Sequence, residues 1–183
     1  LDGYRNTSFG ARQLGEALSI YEEMVNDPAV YVVATLTGAM TVAKMGLVLC
    51  EMIERGYVDC IVSTGALQAN GMIEGTGMQH FNYRSGMNDK ELIVRDILAN
   101  YAPEGPVGSA DICRELGRYL SENMPNERGI LKSAYEHNVP VYIPAFTDSE
   151  LGLDVAVHNK NCRKKGKAPL QFDPFIDLNA YTA

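Results

Sequence analysis

The sequence predicts an α/β protein built around a parallel sheet, and three observations carry that reading. Residues 30–36 and 58–63 are short β-branched, apolar runs, each closed by a Thr-Gly pair, the pattern of strands buried in a parallel sheet. Between them, residues 40–55 are helical in character and Gly56 stops them. Strand, helix and strand in succession make a βαβ unit, whose crossover is right-handed by strong preference. With 183 residues, 46% of them hydrophobic, the chain can fill one sizeable core, so residues 1–183 are expected to form a single domain.

The remaining elements follow in order. Thr7 and Ser8 precede an amphipathic run in which Phe9, Leu14, Leu18, Tyr21 and Val25 recur at roughly helical spacing, predicting a helix that ends near Asn26-Asp27-Pro28. Residues 66–89 are rich in Gly, Met and Asn without a period and are expected to be a long site loop. Helices are predicted over 90–100, 110–123 and 127–137, the first two separated by the breaker stretch 103–108. A third strand is expected over 139–145, with Pro140 at its start and Pro144 near its end, because proline cannot donate to a ladder. Residues 160–167 read as a basic loop, and Asp173-Pro174 opens a last helix over 173–183. The chain opens on Leu1 and stops at Ala183 within that helix, which is the expectation for a fragment truncated at its C-terminal end.

Charge and cysteine spacing narrow the function. The net charge of −7, from 23 acidic and 16 basic residues, disfavours a nucleic-acid partner. Cys50, Cys60, Cys113 and Cys162 form no C-x-x-C pair, which argues against a metal centre and a disulfide scaffold and fits a reducing cytoplasm. No apolar run is long enough to span a membrane.

Chemistry concentrates at the strand ends. Met40 ends one echo, Leu36-Thr37-Gly38-Ala39-Met40, and Ser63-Thr64-Gly65-Ala66-Leu67 forms the other; both follow β-branched strands. In an open parallel sheet such ends line the crevice where ligands bind. Glycine lets a backbone approach a ligand, threonine can donate to phosphate or ribose, and a helix start offers N–H groups to an anion. Small residues also serve tight turns for steric reasons alone, and no G-x-G-x-x-G accompanies them. The third strand leads into Thr147, Asp148, Glu150 and Asp154, three carboxylates that could hold ribose hydroxyls or an ammonium group. Thr147 with Glu150 also reads as a capping box. His80, in the expected site loop, could serve as a general acid or base or simply be a loop residue. His137 and His158 have no metal-ligand spacing. The cluster Lys160, Arg163, Lys164, Lys165 and Lys167 reads as solvated surface rather than a phosphate site.

Taken together, the blocks 7–15 (TSFGARQLG), 37–40 (TGAM), 58–66 (VDCIVSTGA) and 139–148 (VPVYIPAFTD) resemble the deoxyhypusine synthase family in order and interval over nearly the whole chain. The resemblance implies a Rossmann-like parallel sheet with helices on both faces and homotetramers with sites at a subunit interface. It implies NAD as cofactor, with an aminobutyl group passing from spermidine through an enzyme-lysine imine to a protein lysine or to putrescine. Carried over by position, Thr37, Gly38, Ala39 and Met40, then Ser63, Thr64, Gly65 and Ala66, would contact NAD. Asp148 would hold its ribose. Asn70, Glu74, His80, Glu150 and Asp154 are the candidates for the amine substrate.

The departures are specific. Ala69 and Asn70 stand where family members place a glutamate pair, Gly38-Ala39 replaces Ser-Asn, and an expected acid is displaced by one position to Asp154. No lysine in the chain matches the catalytic motif, which is expected beyond Ala183. The resemblance therefore points to a divergent, synthase-like branch. The alternative from another class is a catalytically inactive paralogue acting as a structural or regulatory subunit.

Overall fold

The computed structural model describes residues 2–77 and 89–182. It opens with α1 (Asp2–Arg5) and α2 (Gly10–Asn26), followed by β1 (Val33–Leu36), α3 (Ala39–Val42) and α4 (Gly46–Glu54). Then come β2 (Cys60–Ser63), α5 (Gly65–Gly75), α6 (Asp89–Asn100), α7 (Ser109–Asn123) and α8 (Ile130–Glu136). The chain ends with β3 (Val141–Tyr142), a 3-10 turn (Phe146–Asp148), α9 (Glu150–Lys164) and α10 (Pro174–Thr182). The three strands are parallel in the order β1-β2-β3. This is a mixed α/β protein with a small parallel sheet and many helices.

β2 is central and reads Cys-Ile-Val-Ser, with three of its four residues buried. β1 is an edge, where Val33 remains 46% exposed. β3 covers only two of the seven residues expected, because the prolines at 140 and 144 cannot donate to a ladder and confine it from both sides. The core joins Ile61 and Val141 of the sheet to Ile112, Leu116 and Leu120 of α7 and Ile130 and Leu131 of α8. α7 and α8 approach so closely at Gly117 that a Cβ there would collide with the Leu131 carbonyl and stand 2.8 Å from the Tyr135 Cβ.

Several expectations are corrected. The helix expected over 40–55 is two helices, since Lys44 adopts a left-handed φ of 64° that ends α3, and α4 restarts at Gly46. The expected site loop is, through Gly75, the helix α5. Gly71 and Gly75 weaken its propensity, but Leu67 and Met72 are fully buried, and tertiary burial outweighs about 1 kcal/mol per glycine. The rest of that loop, with His80, lies outside the described residues. Lys160 through Lys164 are not loop but the last turns of α9, where positive charge complements the helix dipole. α2 is present as expected, and its apolar stripe is covered in part: Leu18, Tyr21 and Val25 are half-buried, whereas Leu14 is exposed and Phe9, just before the helix, is 93% exposed. It is tied down by Tyr21, whose hydroxyl donates to the Tyr57 carbonyl at 2.7 Å.

Because the neighbour of Gly117 is backbone, it cannot swing aside. Gly117→Ala should lower unfolding free energy by about 1–3 kcal/mol despite alanine's better helix propensity. Gly10→Ala, with nothing near it, should be neutral. Urea denaturation midpoints of the two variants check this.

Candidate functional site

The structure brings all three strand ends together. The amide of Gly38, after β1, donates to Thr64 Oγ1, after β2, at 3.2 Å. Ser63 Oγ donates to the Leu36 carbonyl at 2.8 Å, locking the same two ends. A Cβ on Gly38 would collide with the Ala66 Cβ and lie 2.5 Å from the Leu67 nitrogen. A Cβ on Gly65 would collide with the Ser149 Cβ, after β3. Both glycines are thus required for turn-on-turn contact, the steric alternative of the two that the sequence left open.

Around this contact runs an open shelf. Gly38, Gly65 and Ser63 are buried, while Thr37, Ala39, Thr64, Ala66, Thr147, Asp148 and Glu150 are exposed and Met40 is half-buried. Thr64 Oγ1 already accepts from Gly38, so its hydroxyl hydrogen and one lone pair are left to offer outward. The Asp148 carboxylate receives no hydrogen bond among the described residues. The first N–H groups of α5 lie at Gly65 and Ala66, on the turn that abuts Ser149, where a helix start favours an anion. Hydroxyls, an uncommitted carboxylate and helix-start amides are the donor and acceptor set that ribose and phosphate require, so these residues fit a dinucleotide.

The cap of α9 differs from expectation. Ser149, not Thr147, is the N-cap; it accepts from the Gly152 amide at 3.0 Å and donates to the Phe146 carbonyl at 2.5 Å. Thr147 and Asp148 sit in the preceding 3-10 turn, so Asp148 is carried on a rigid corner rather than a loop.

The substrate candidates are placed unevenly. Asn70 faces turn one, where its amide donates to the Gly38 carbonyl at 3.2 Å and Thr41 Oγ1 donates to the same oxygen at 2.7 Å. Ala69, beside it, is 9% exposed. Glu74 lies ten residues along α5 from Thr64, roughly 15 Å at helical rise, and its half-buried carboxylate packs on Gly46 at the start of α4. Glu150 and Asp154 are one turn apart on α9; the first is exposed and the second is 7% exposed. Other hollows lie elsewhere. One of about 230 Å³ is framed by Arg114, Tyr135, Tyr142 and Asp177, at the opposite end of β3.

One residue escaped the sequence reading. Gln68, in the first turns of α5, is 1% exposed, and its Oε1 makes no hydrogen bond. A buried amide oxygen without a partner costs about 1–3 kcal/mol. The signal was present in principle: Gln68 is the one polar side chain in the apolar stretch 66–69.

A small parallel sheet whose strand ends meet in a polar shelf defines an α/β protein with exposed polar groups at the carboxyl ends of its strands. Comparison makes this specific. The deoxyhypusine synthase family model matches residues 1–98 and 93–183, and the chain belongs to that family. It is 31% identical over 197 residues to a Methanosarcina mazei protein named "Probable deoxyhypusine synthase 1", covering 97% of this chain and 60% of that one. It is 31% identical over 177 residues to a "Deoxyhypusine synthase-like protein" of Chlorobaculum parvum, covering 84% and 51% respectively. A crystal structure from Entamoeba histolytica, provisionally named a deoxyhypusine synthase, superposes with a TM-score of 0.77 at 15% identity. That match covers 99% of this chain and 70% of the other. The chain thus spans about 60% of the length of the first curated relatives.

Gln68→Met keeps the shape of the side chain and removes the orphaned oxygen. It should raise the urea unfolding midpoint of the unliganded protein, by the equivalent of about 1 kcal/mol. A fall in the midpoint would show that Oε1 has a partner in solution.

Proposed function

We propose that this chain carries the dinucleotide-binding side of an NAD-dependent transferase on a Rossmann-like sheet. The reaction moves an aminobutyl group from spermidine or a related amine, through an imine, to a protein lysine or a small amine such as putrescine. The observation that carries the reading is the meeting of Thr37, Thr64 and Asp148 on one shelf, within a chain of this family. NAD, when bound, supplies a hydride acceptor, which makes an unreactive amine carbon electrophilic. The chain's own residues bind and orient. Asp148 accepts from ribose hydroxyls, Thr64 donates outward while one of its lone pairs is held by Gly38, and Ala66 offers a helix-start amide to phosphate. Glu150 and Asp154, sharing one face of α9, are the carboxylates suited to a cationic amine.

A second reading, the inactive paralogue, is favoured by one contact. Asn70 occupies a position where the resemblance expects a glutamate for the polyamine, and its amide is committed to the Gly38 carbonyl, bracing a turn. Two measurements in sequence separate the two readings. Calorimetric titration of the full-length protein should show NAD binding that Asp148→Ala weakens about tenfold or more, as loss of a charged hydrogen-bond acceptor implies. Absence of binding, or wild-type affinity in the variant, would sink the dinucleotide site. Product analysis with NAD and spermidine, with and without putrescine, then decides: aminobutyl transfer supports the enzyme, and binding without turnover supports the partner role.

We further propose a homotetramer, seated in a reducing cytoplasm where the four cysteines stay free. The exposed apolar side chains of Phe9, Leu14 and Ile20 on and before α2 support self-association. Light scattering should report a tetramer, and Leu14→Asp with Ile20→Asp should lower the mass; an unchanged mass would remove α2 from the interface.

A further inference from the structure

At the end of β3 away from the shelf, a hollow of about 230 Å³ lies between α7, α8, α10 and the strand. Leu131, Ala134, Val139 and Ile176 give it an apolar lining, and a few polar side chains line it as well. An apolar concavity with a small number of placed polar groups is the composition of a small-molecule site. The hollow is below the roughly 300 Å³ at which drug-sized sites begin, so its occupant is small.

Two of the polar groups are opposite charges held apart. The Arg114 guanidinium lies 5.3 Å from the Tyr135 ring centroid, and both of its terminal nitrogens donate to Asn138 Oδ1, at 3.3 and 3.4 Å. The Asp111 carboxylate accepts from the Gly108 amide at 2.8 Å. All of these partners are neutral, and neither charge joins an ion pair among the described residues. Elsewhere on α7 charges do close on each other, since Arg118 bonds Glu115 and Glu122 at 2.6 Å each. Arg114 and Asp111 are three residues apart and share one face of the helix, with roughly 5–6 Å between their Cβ atoms. Each is fixed by something other than the opposite charge, so a ligand that bridges them has little side-chain ordering left to offset.

A third group points the same way. Tyr142 is 7% exposed and lines the hollow, and its hydroxyl makes no hydrogen bond among the described residues. Its ring is fixed edge-on against Tyr181 with centroids 5.3 Å apart. A buried phenol ordinarily finds a partner, and here the hollow is where one would stand. Asp177 also lines the space, but its carboxylate is 4% exposed and already accepts from the Ser109 and Ala110 amides, at 2.7 and 3.2 Å. It is committed to the start of α7.

We propose that this hollow binds a small apolar α-amino acid, with its carboxylate on Arg114, its ammonium on Asp111 and its side chain against Leu131 and Ile176. Tyr142 donates to the ligand's carboxylate. The two charges of an α-amino acid are separated by one carbon, which suits a cation and an anion that stand side by side without touching. The site is separate from the shelf and does not rest on the dinucleotide reading.

Ligand-observed NMR titration of the full-length protein tests this with three probes: L-leucine, isocaproate, which lacks the ammonium, and isoamylamine, which lacks the carboxylate. Leucine should bind with a dissociation constant of about 1 mM or tighter, and each single-charge analogue about tenfold more weakly. Arg114→Gln should weaken leucine and isocaproate about tenfold and leave isoamylamine within about twofold. Asp111→Asn, which keeps an oxygen for the Gly108 amide, should weaken leucine and isoamylamine by a similar factor and spare isocaproate. Tyr142→Phe should weaken leucine about threefold or more. The comparison of the three probes on the wild-type protein needs no variant to fold. No leucine binding at about 10 mM, an analogue that binds as tightly as leucine, or leucine affinity unmoved by any one of the three substitutions would each overturn the proposal.

Discussion

The structure depends on three strand ends being allowed to touch. Gly38 lies against Ala66 and Leu67, and Gly65 against Ser149, with no room for a Cβ at either glycine. This abutment sets the register of everything polar nearby. Because Gly38 donates to Thr64 Oγ1 and receives at its carbonyl from Asn70 and from its own neighbour Thr41, the first turn is held on both sides by side chains of the segment that follows β2. A ligand edge assembled from separate strands needs that rigidity, since a misplacement of about 1 Å in a binding group can cost orders of magnitude in rate. The same contact explains why the site is a shelf: turns packed directly on one another leave their outer faces, not a gap between them, for a ligand.

Parts of this were legible in the sequence because one local rule decided them. β2 is a short β-branched run closed by Thr-Gly, and α7 follows a glycine-proline breaker stretch; both appear within two residues of expectation. The convergence of strand ends followed from parallel topology alone. What could not be read was set by distant partners. The stretch 66–75 has loop composition, yet it is helical because Leu67 and Met72 bury against other elements, and its glycines admit Leu131 and Leu120 at close range. Lys44 takes a left-handed φ that no propensity favours, at the point where Glu74 presses on the start of α4. The Thr147 and Glu150 pattern matched a capping box, but the helix starts two residues later than that pattern implies and Ser149 takes the cap. In the candidate site, residue types were right to mark as polar, while their roles were undetermined: nothing in the sequence distinguishes Asn70 as a brace from Asn70 as a ligand.

That distinction organises the polar groups of the whole edge. Buried Ser63 and Thr41 and half-buried Asn70 point their hydrogen bonds at backbone and hold the strand ends in place. Those left exposed, Thr37, Thr147 and Asp148, have no such duty among the described residues, and an exposed polar rim around a rigid centre is where binding residues are found. Thr64 belongs to both sets, since it accepts from Gly38 and still carries a hydrogen to donate.

Gln68 fits neither set, and it is the more informative for that. It is as buried as the bracing residues but holds nothing, so its amide oxygen is an uncompensated charge dipole within one turn of the shelf. A folded protein tolerates such a group where something other than stability retains it. The glutamine follows Gly65 by three residues, close to one turn of α5, and therefore lies on the same side of that helix as the contact with Ser149. Buried polarity there, in a helix otherwise packed with Leu67, Ala69 and Met72, places an unpaired amide oxygen next to the meeting point of the strand ends.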